Sequence, residues 1–124
     1  MPRELDGRIF RFACRIVEIF GTLCQQSGAA RPIAYQLVKA GTSVGANYEE
    51  ASAGQSKKDF IAKLSIVRKE LFETRFWLRL LVATQQPARA ELAADLDEVG
   101  QLIAIVTAII RKAKSSPHRG EGDM

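Results

Sequence analysis

Residues 60–81 read FIAKLSIVRKELFETRFWLRLL. Within them Phe60, Leu64, Val67, Leu71, Thr74, Leu78 and Leu81 recur at alternating steps of four and three. A half-buried strand would place apolar residues at every second position. A four-three step instead keeps one side of a helix turned to a core. Ser56 precedes the stretch and Asp59 follows it by three, the spacing of an N-cap and its box-like partner. The pattern predicts a helix over 57–84, the longest in the chain.

The same step recurs on both sides of it. Leu5, Ile9, Phe12, Ile16, Ile19 and Leu23 predict a helix over 4–26. A second apolar line, Phe10, Ala13, Val17, Phe20 and Cys24, lies beside that seam, while Arg8, Arg11, Arg15 and Glu18 share the opposite side. A helix over 32–53 opens with Pro32 in its first turn and carries Ile33, Leu37, Ala40, Val44 and Asn47. A fourth, over 87–113, starts at Pro87 and carries Leu92, Leu96, Val99, Ile103, Val106 and Ile110. Its acids, Glu91, Asp95, Asp97 and Glu98, gather near the start and Arg111, Lys112 and Lys114 near the end, as the helix dipole favours. No strand-like alternation, repeat or low-complexity segment is present. The expected architecture is all-α: one antiparallel up-down four-helix bundle over residues 1–114, with SSPHRGEGDM at 115–124 as a disordered tail.

The totals suit one ordinary globular domain: 124 residues, 47% apolar and 26% charged, with a formal charge of +4. Cys14 and Cys24 fall ten residues apart in one helix, about 15 Å of rise, too far for a disulfide. Reduced thiols, an N-terminus without a long apolar core and no apolar run longer than LIAIVTAII (102–110) lead to the expectation of a cytoplasmic protein that does not enter the membrane.

Most catalytic chemistries find no foothold. The single histidine, His118, falls in the tail, so neither a Glu-x-x-His di-metal site nor a histidine-based serine hydrolase is expected. Gly41 and Gly45 are not followed by Lys-Ser/Thr, which rules out a phosphate loop. No metal, cofactor or catalytic residue is assigned. Glu50, Glu70 and Glu73 could perform acid–base work if burial shifted them. The plainer alternative is a polar network among Ser43, Asn47, Glu50, Lys69, Glu70 and Glu73, fixing the register of the second and third helices.

Two other surfaces stand out. Taking Phe60 as origin, the third helix's seam spans about 0–40°, yet Phe76 and Leu80 project near 160–200° and Ile66 and Trp77 near 240–260°. Leu102, Ile105 and Ile109 point away from the fourth helix's seam. Such surplus apolar surface suggests self-association, unless the third helix is central or the tail covers it. Lys57, Arg68, Arg75 and Arg79 fall within a wedge of about 40°. That stripe could track a nucleic-acid backbone or simply be the solvated face of a helix.

The stretch SVGANYEEASAGQSKKDFIAKLSIVRKELFETRFWLRLL, residues 43–81, resembles the four-helix-bundle family of proteins encoded in intervening sequences of bacterial large-subunit ribosomal RNA genes. The matching positions are Ser43, Val44, Asn47, Glu50, Asp59, Phe60, Lys69, Glu70, Glu73, Thr74, Trp77 and Leu78. Ala51 stands where many members carry glycine. The resemblance implies an up-down bundle assembled as a homopentameric ring, with no established catalytic residue or cofactor. The chain is also similar, through its architecture and RFWLRLL at 75–81, to the bundle accessory proteins of diversity-generating retroelements, which partner a reverse transcriptase and nucleic acid. Gly41 and Gly45, four apart on one side of the second helix, predict a close approach by another helix.

Overall fold

The computed structural model describes residues 3–54, 56–84 and 89–116. Four α-helices occupy them: α1 (Arg3–Leu23), α2 (Ala30–Ser52), α3 (Lys57–Ala83) and α4 (Ala93–Ser115), the last led in by a 3-10 turn over Arg89–Leu92. The chain is an all-α four-helix bundle.

Every residue of the α1 seam, from Leu5 to Leu23, is buried. The helix ends at Leu23 and the link to α2 turns at Gly28, whose φ of 72° a side-chain-bearing residue adopts only at a cost. α2 starts at Ala30, two residues before Pro32. A proline is harmless there because the first four amides of a helix have no internal partner. α3 is capped by Ser56, whose hydroxyl accepts from the Asp59 amide at 3.0 Å. Its seam is buried from Leu64 to Leu81. Thr74 fits within it because its hydroxyl donates to the Glu70 carbonyl at 2.7 Å. The expected start of the fourth helix at Pro87 lies outside the described residues; α4 begins at Ala93, with Leu92 of the 3-10 turn buried as its anchor. At the other end α4 runs on to Ser115, the first residue of the expected tail, and residues 117–124 lie outside the description.

The core runs the length of the bundle between all four helices. α2 and α3 share the most extensive contact, α1 packs on α2 and α4 on α3, while α1 and α4 barely meet. The chain is thus tight along three of its four seams and thin along the fourth. Gly41 explains why α1 lies so close on α2: its backbone abuts Ile16, leaving no room for a β-carbon. Gly45 faces Ala13 on the same side. The close approach expected from the two glycines is present, and α1 is the helix that makes it.

The α2 seam differs from expectation. Tyr48, not Asn47, occupies the buried position after Val44. A four-residue step from Val44 brings the larger, flatter side chain inward, and its hydroxyl donates to Asp6 Oδ1 of α1 at 2.5 Å. Ile33 is half-buried and packs at the core's edge.

Candidate interaction surfaces

The expected polar network between α2 and α3 is largely replaced by local contacts. Asn47 is half-buried, and its amide donates to the Ser43 carbonyl at 2.9 Å and to the Ser43 hydroxyl at 3.0 Å, all within α2. Glu73 accepts from the Trp77 indole at 3.2 Å, within α3. Lys69 is exposed, and Glu70 offers its backbone carbonyl to Thr74. One bond does cross between the helices: Lys63 Nζ to Glu50 Oε1, 2.6 Å, on the exposed surface. The Glu50 carboxylate holds the Lys63 ammonium above its ordinary value, chiefly through that hydrogen bond. Glu50 is thus engaged by Lys63 and Glu73 by Trp77, in separate contacts.

The outer face of α3 is apolar and exposed. Phe76 is 52% exposed and meets Trp77 edge-on, with ring centroids 4.9 Å apart. Ile66 and Phe72 are also exposed, and Leu80 is half-buried. Phe76, Arg79, Leu80 and Ala83 line an open depression of about 210 Å³. The α4 members of the expected interface fare differently. Leu102 is fully buried within the chain itself, and Ile105 and Ile109 are half-buried against the core, as is Trp77. Leu102 therefore leaves the candidate surface. A helix in a four-helix bundle has two neighbours, so an arc wider than one seam is filled from inside; Leu102 sits in that arc.

The cation stripe meets α4 at its first member. Lys57 Nζ reaches the Ser116 carbonyl at the end of α4, 2.6 Å away. Arg75 lies over the Phe72 ring, 4.9 Å from its centroid. Arg68 and Arg79 form no ion pair among the described residues.

Two features were not anticipated. The first is a second exposed apolar face. Phe10 is 66% exposed, Val17 50% and Tyr35 of α2 54%. Tyr35 is steadied by Phe20, which meets it edge-on at 5.2 Å between centroids. Phe10 and Val17 belong to the second apolar line of α1. Its other members, Ala13, Phe20 and Cys24, are half-buried.

The second is ionic. Arg8 and Arg15 do not simply face solvent; they bridge the thin α1–α4 seam. Arg15 donates two bonds to Asp95, at 3.0 and 3.2 Å, and Asp95 is buried. Arg8 donates to both oxygens of Glu98, at 3.1 and 2.6 Å, and to Gln101 at 3.0 Å. These hydrogen bonds to carboxylates raise both guanidinium pKa values further above their already high level. The residues lie 80 and 90 positions apart in sequence, so nothing local marks them. Beside them Glu4, Leu5, Arg8 and Ile105 line an opening of about 190 Å³.

Among the described residues no group of three or more His, Cys, Asp and Glu side chains could hold a metal ion. No helix there is long and apolar enough to cross a membrane.

A family model described as 23S rRNA-intervening sequence protein matches residues 7–108. The fold is also similar to a crystal structure of a protein of unknown function from the S23 ribosomal protein family of Bacteroides thetaiotaomicron VPI-5482. The two chains are 34% identical, with a TM-score of 0.77 over 85% of this chain and 96% of the other. No curated protein matches this chain.

Proposed function

Because the chain belongs to the 23S rRNA-intervening sequence protein family, a family with no assigned activity, we propose that it is a non-enzymatic scaffold or interaction module that self-assembles into a homopentameric ring. One observation carries the reading: the exposed apolar face of α3 around Phe76, which nothing among the described residues covers. Exposed aromatic surface on a rigid helix gains free energy when a partner excludes water from it. The dispersal of Glu50 and Glu73 into separate contacts supports the non-enzymatic part. The unpaired cysteines, Cys14 exposed and Cys24 half-buried, suit a reducing compartment such as the cytoplasm. Light scattering behind a sizing column tests the assembly. A mass near five chains is expected, and a monomer at micromolar concentration refutes it.

A second reading, a nucleic-acid-binding accessory or reverse-transcriptase partner, is favoured by Arg68 and Arg79, which are left without ion-pair partners among the described residues. Affinity for RNA or DNA should then fall steeply with salt. If charge reversal at Arg68, Arg75 and Arg79 leaves that affinity unchanged, the surface is wrong.

A further inference from the structure

We propose that the α1/α2 face around Phe10, Val17 and Tyr35 receives the α3 face around Phe72, Phe76 and Leu80 of a second copy, so that subunits join head to tail through unlike surfaces. This rests on the self-assembly reading and specifies the contact that produces it.

The argument begins with position. α1 packs on α2, and α3 lies between α2 and α4. In a four-helix bundle with that neighbour order, α1 and α3 are diagonal, and their outer faces look away from each other. No single chain can bring the two apolar faces together. A twofold dimer built on either face alone would leave the other in water. One contact between unlike faces, repeated from copy to copy, covers both. Such a contact closes into a ring when its rotation divides a full turn.

Area agrees. Each face presents three or four large side chains, most of them close to half exposed, on the order of 300 Å² of apolar surface per face from typical aromatic areas. One patch of that size is ordinary on a monomer. Two, on opposite sides of a chain of 124 residues, are not. Each would supply much of the apolar share of a standard contact, which takes about 800 Å² per partner.

The rims differ in charge. That of the α3 face is mostly basic, with Arg68, Lys69, Arg75 and Arg79 around the Glu73 that holds Trp77. That of the α1/α2 face mixes exposed Glu49 with Arg31 and Lys39. It also offers the open rings of Phe10 and Tyr35, on which a guanidinium can rest as Arg75 already rests on Phe72. Tyr35 is held in place by Phe20, so little side-chain freedom is lost on docking.

A mixing experiment tests the pairing. One variant carries Phe10→Glu with Val17→Glu; the other carries Phe72→Glu with Phe76→Glu. All four positions are exposed, so circular dichroism should show both variants folded. Each alone is expected to fall from the wild-type mass to that of one chain. Mixed one to one, they should form a pair of twice that mass, because each retains the face the other lacks. If the Phe10/Val17 variant assembles as the wild type does, that face serves some other partner and the pairing is overturned while self-assembly stands. Two monomers that stay apart on mixing also overturn it. A wild-type monomer overturns the self-assembly reading itself.

Discussion

A β-carbon built on Gly41 would lie 2.6 Å from Cγ2 of Ile16 and 2.8 Å from its Cγ1. The atoms in the way are branched core carbons of a fully buried side chain, so neither helix can yield cheaply. Gly41→Ala should therefore destabilise the fold by about 1–3 kcal/mol despite the better helix propensity of alanine. Ile16→Ala in the same chain should recover part of that loss, measurable as a double-mutant cycle in urea.

Gly45 gives the opposite sign. A β-carbon there would meet Ala13 Cβ at 3.5 Å, an ordinary contact. Gly45→Ala should stabilise by up to about 1 kcal/mol through helix propensity. An equal loss at both glycines would mean that the two helices are not arranged as described.

The two arginines of the α1–α4 seam should differ in worth. Asp95 is buried, and removing its partner by Arg15→Ala strands a carboxylate; a loss of about 1–3 kcal/mol is expected. Arg8 and Glu98 are more open, their side chains 25% and 32% exposed, and Arg8→Ala should lose at most about 1 kcal/mol. Lys63→Ala should leave the denaturation midpoint unchanged, since that pair lies on the surface.

Alkaline pH should act through Tyr48. Burial, reinforced by the hydrogen bond to Asp6, raises its pKa well above the ordinary 10.0. Below pH 10 both folded and unfolded chains keep the phenol proton, and the contribution is whole. Above it the unfolded chain loses the proton while the folded one retains it, so stability falls as pH rises, with a limiting slope of about 1.4 kcal/mol per pH unit. Tyr48→Phe should remove that component of the slope, at a loss of about 1 kcal/mol near neutrality from the missing hydrogen bond. Urea midpoints between pH 8 and about pH 11.5 measure both.

Asn47→Leu should leave the register of α2 on α3 and the secondary structure intact, because among the described residues Asn47 bonds only within its own helix. A change in stability beyond about 1 kcal/mol would show that the residue does more than the Ser43 contact requires.

These residues also show where the sequence was legible. The seams of α1 and α3 could be read because bulky aliphatics recur at four-three steps over five or more turns. The buried positions of α2 are mostly alanine and glycine, so its pattern is faint, and Val44 can be followed by either Asn47 or Tyr48. The choice depends on Asp6, forty-two residues away. Leu102 was misplaced because a helix between two neighbours buries more than a single stripe. Arg8 and Arg15 looked like solvent-facing charge because their partners are 90 and 80 residues distant. The exposed line at Phe10 and Val17 was visible as apolar, but whether a residue lies just inside or just outside a seam depends on how closely the next helix approaches.

The thin α1–α4 seam gives the molecule a mechanical character of its own. α2 and α3 are the spine of a book, and α1 and α4 are its covers, with their backbones farther apart and clasped by two arginines. Breathing should open this edge first, wetting Leu5 and Ile105 while the spine amides remain the slowest to exchange with solvent. Since the clasp is partly charge, added salt should loosen the covers without touching the spine.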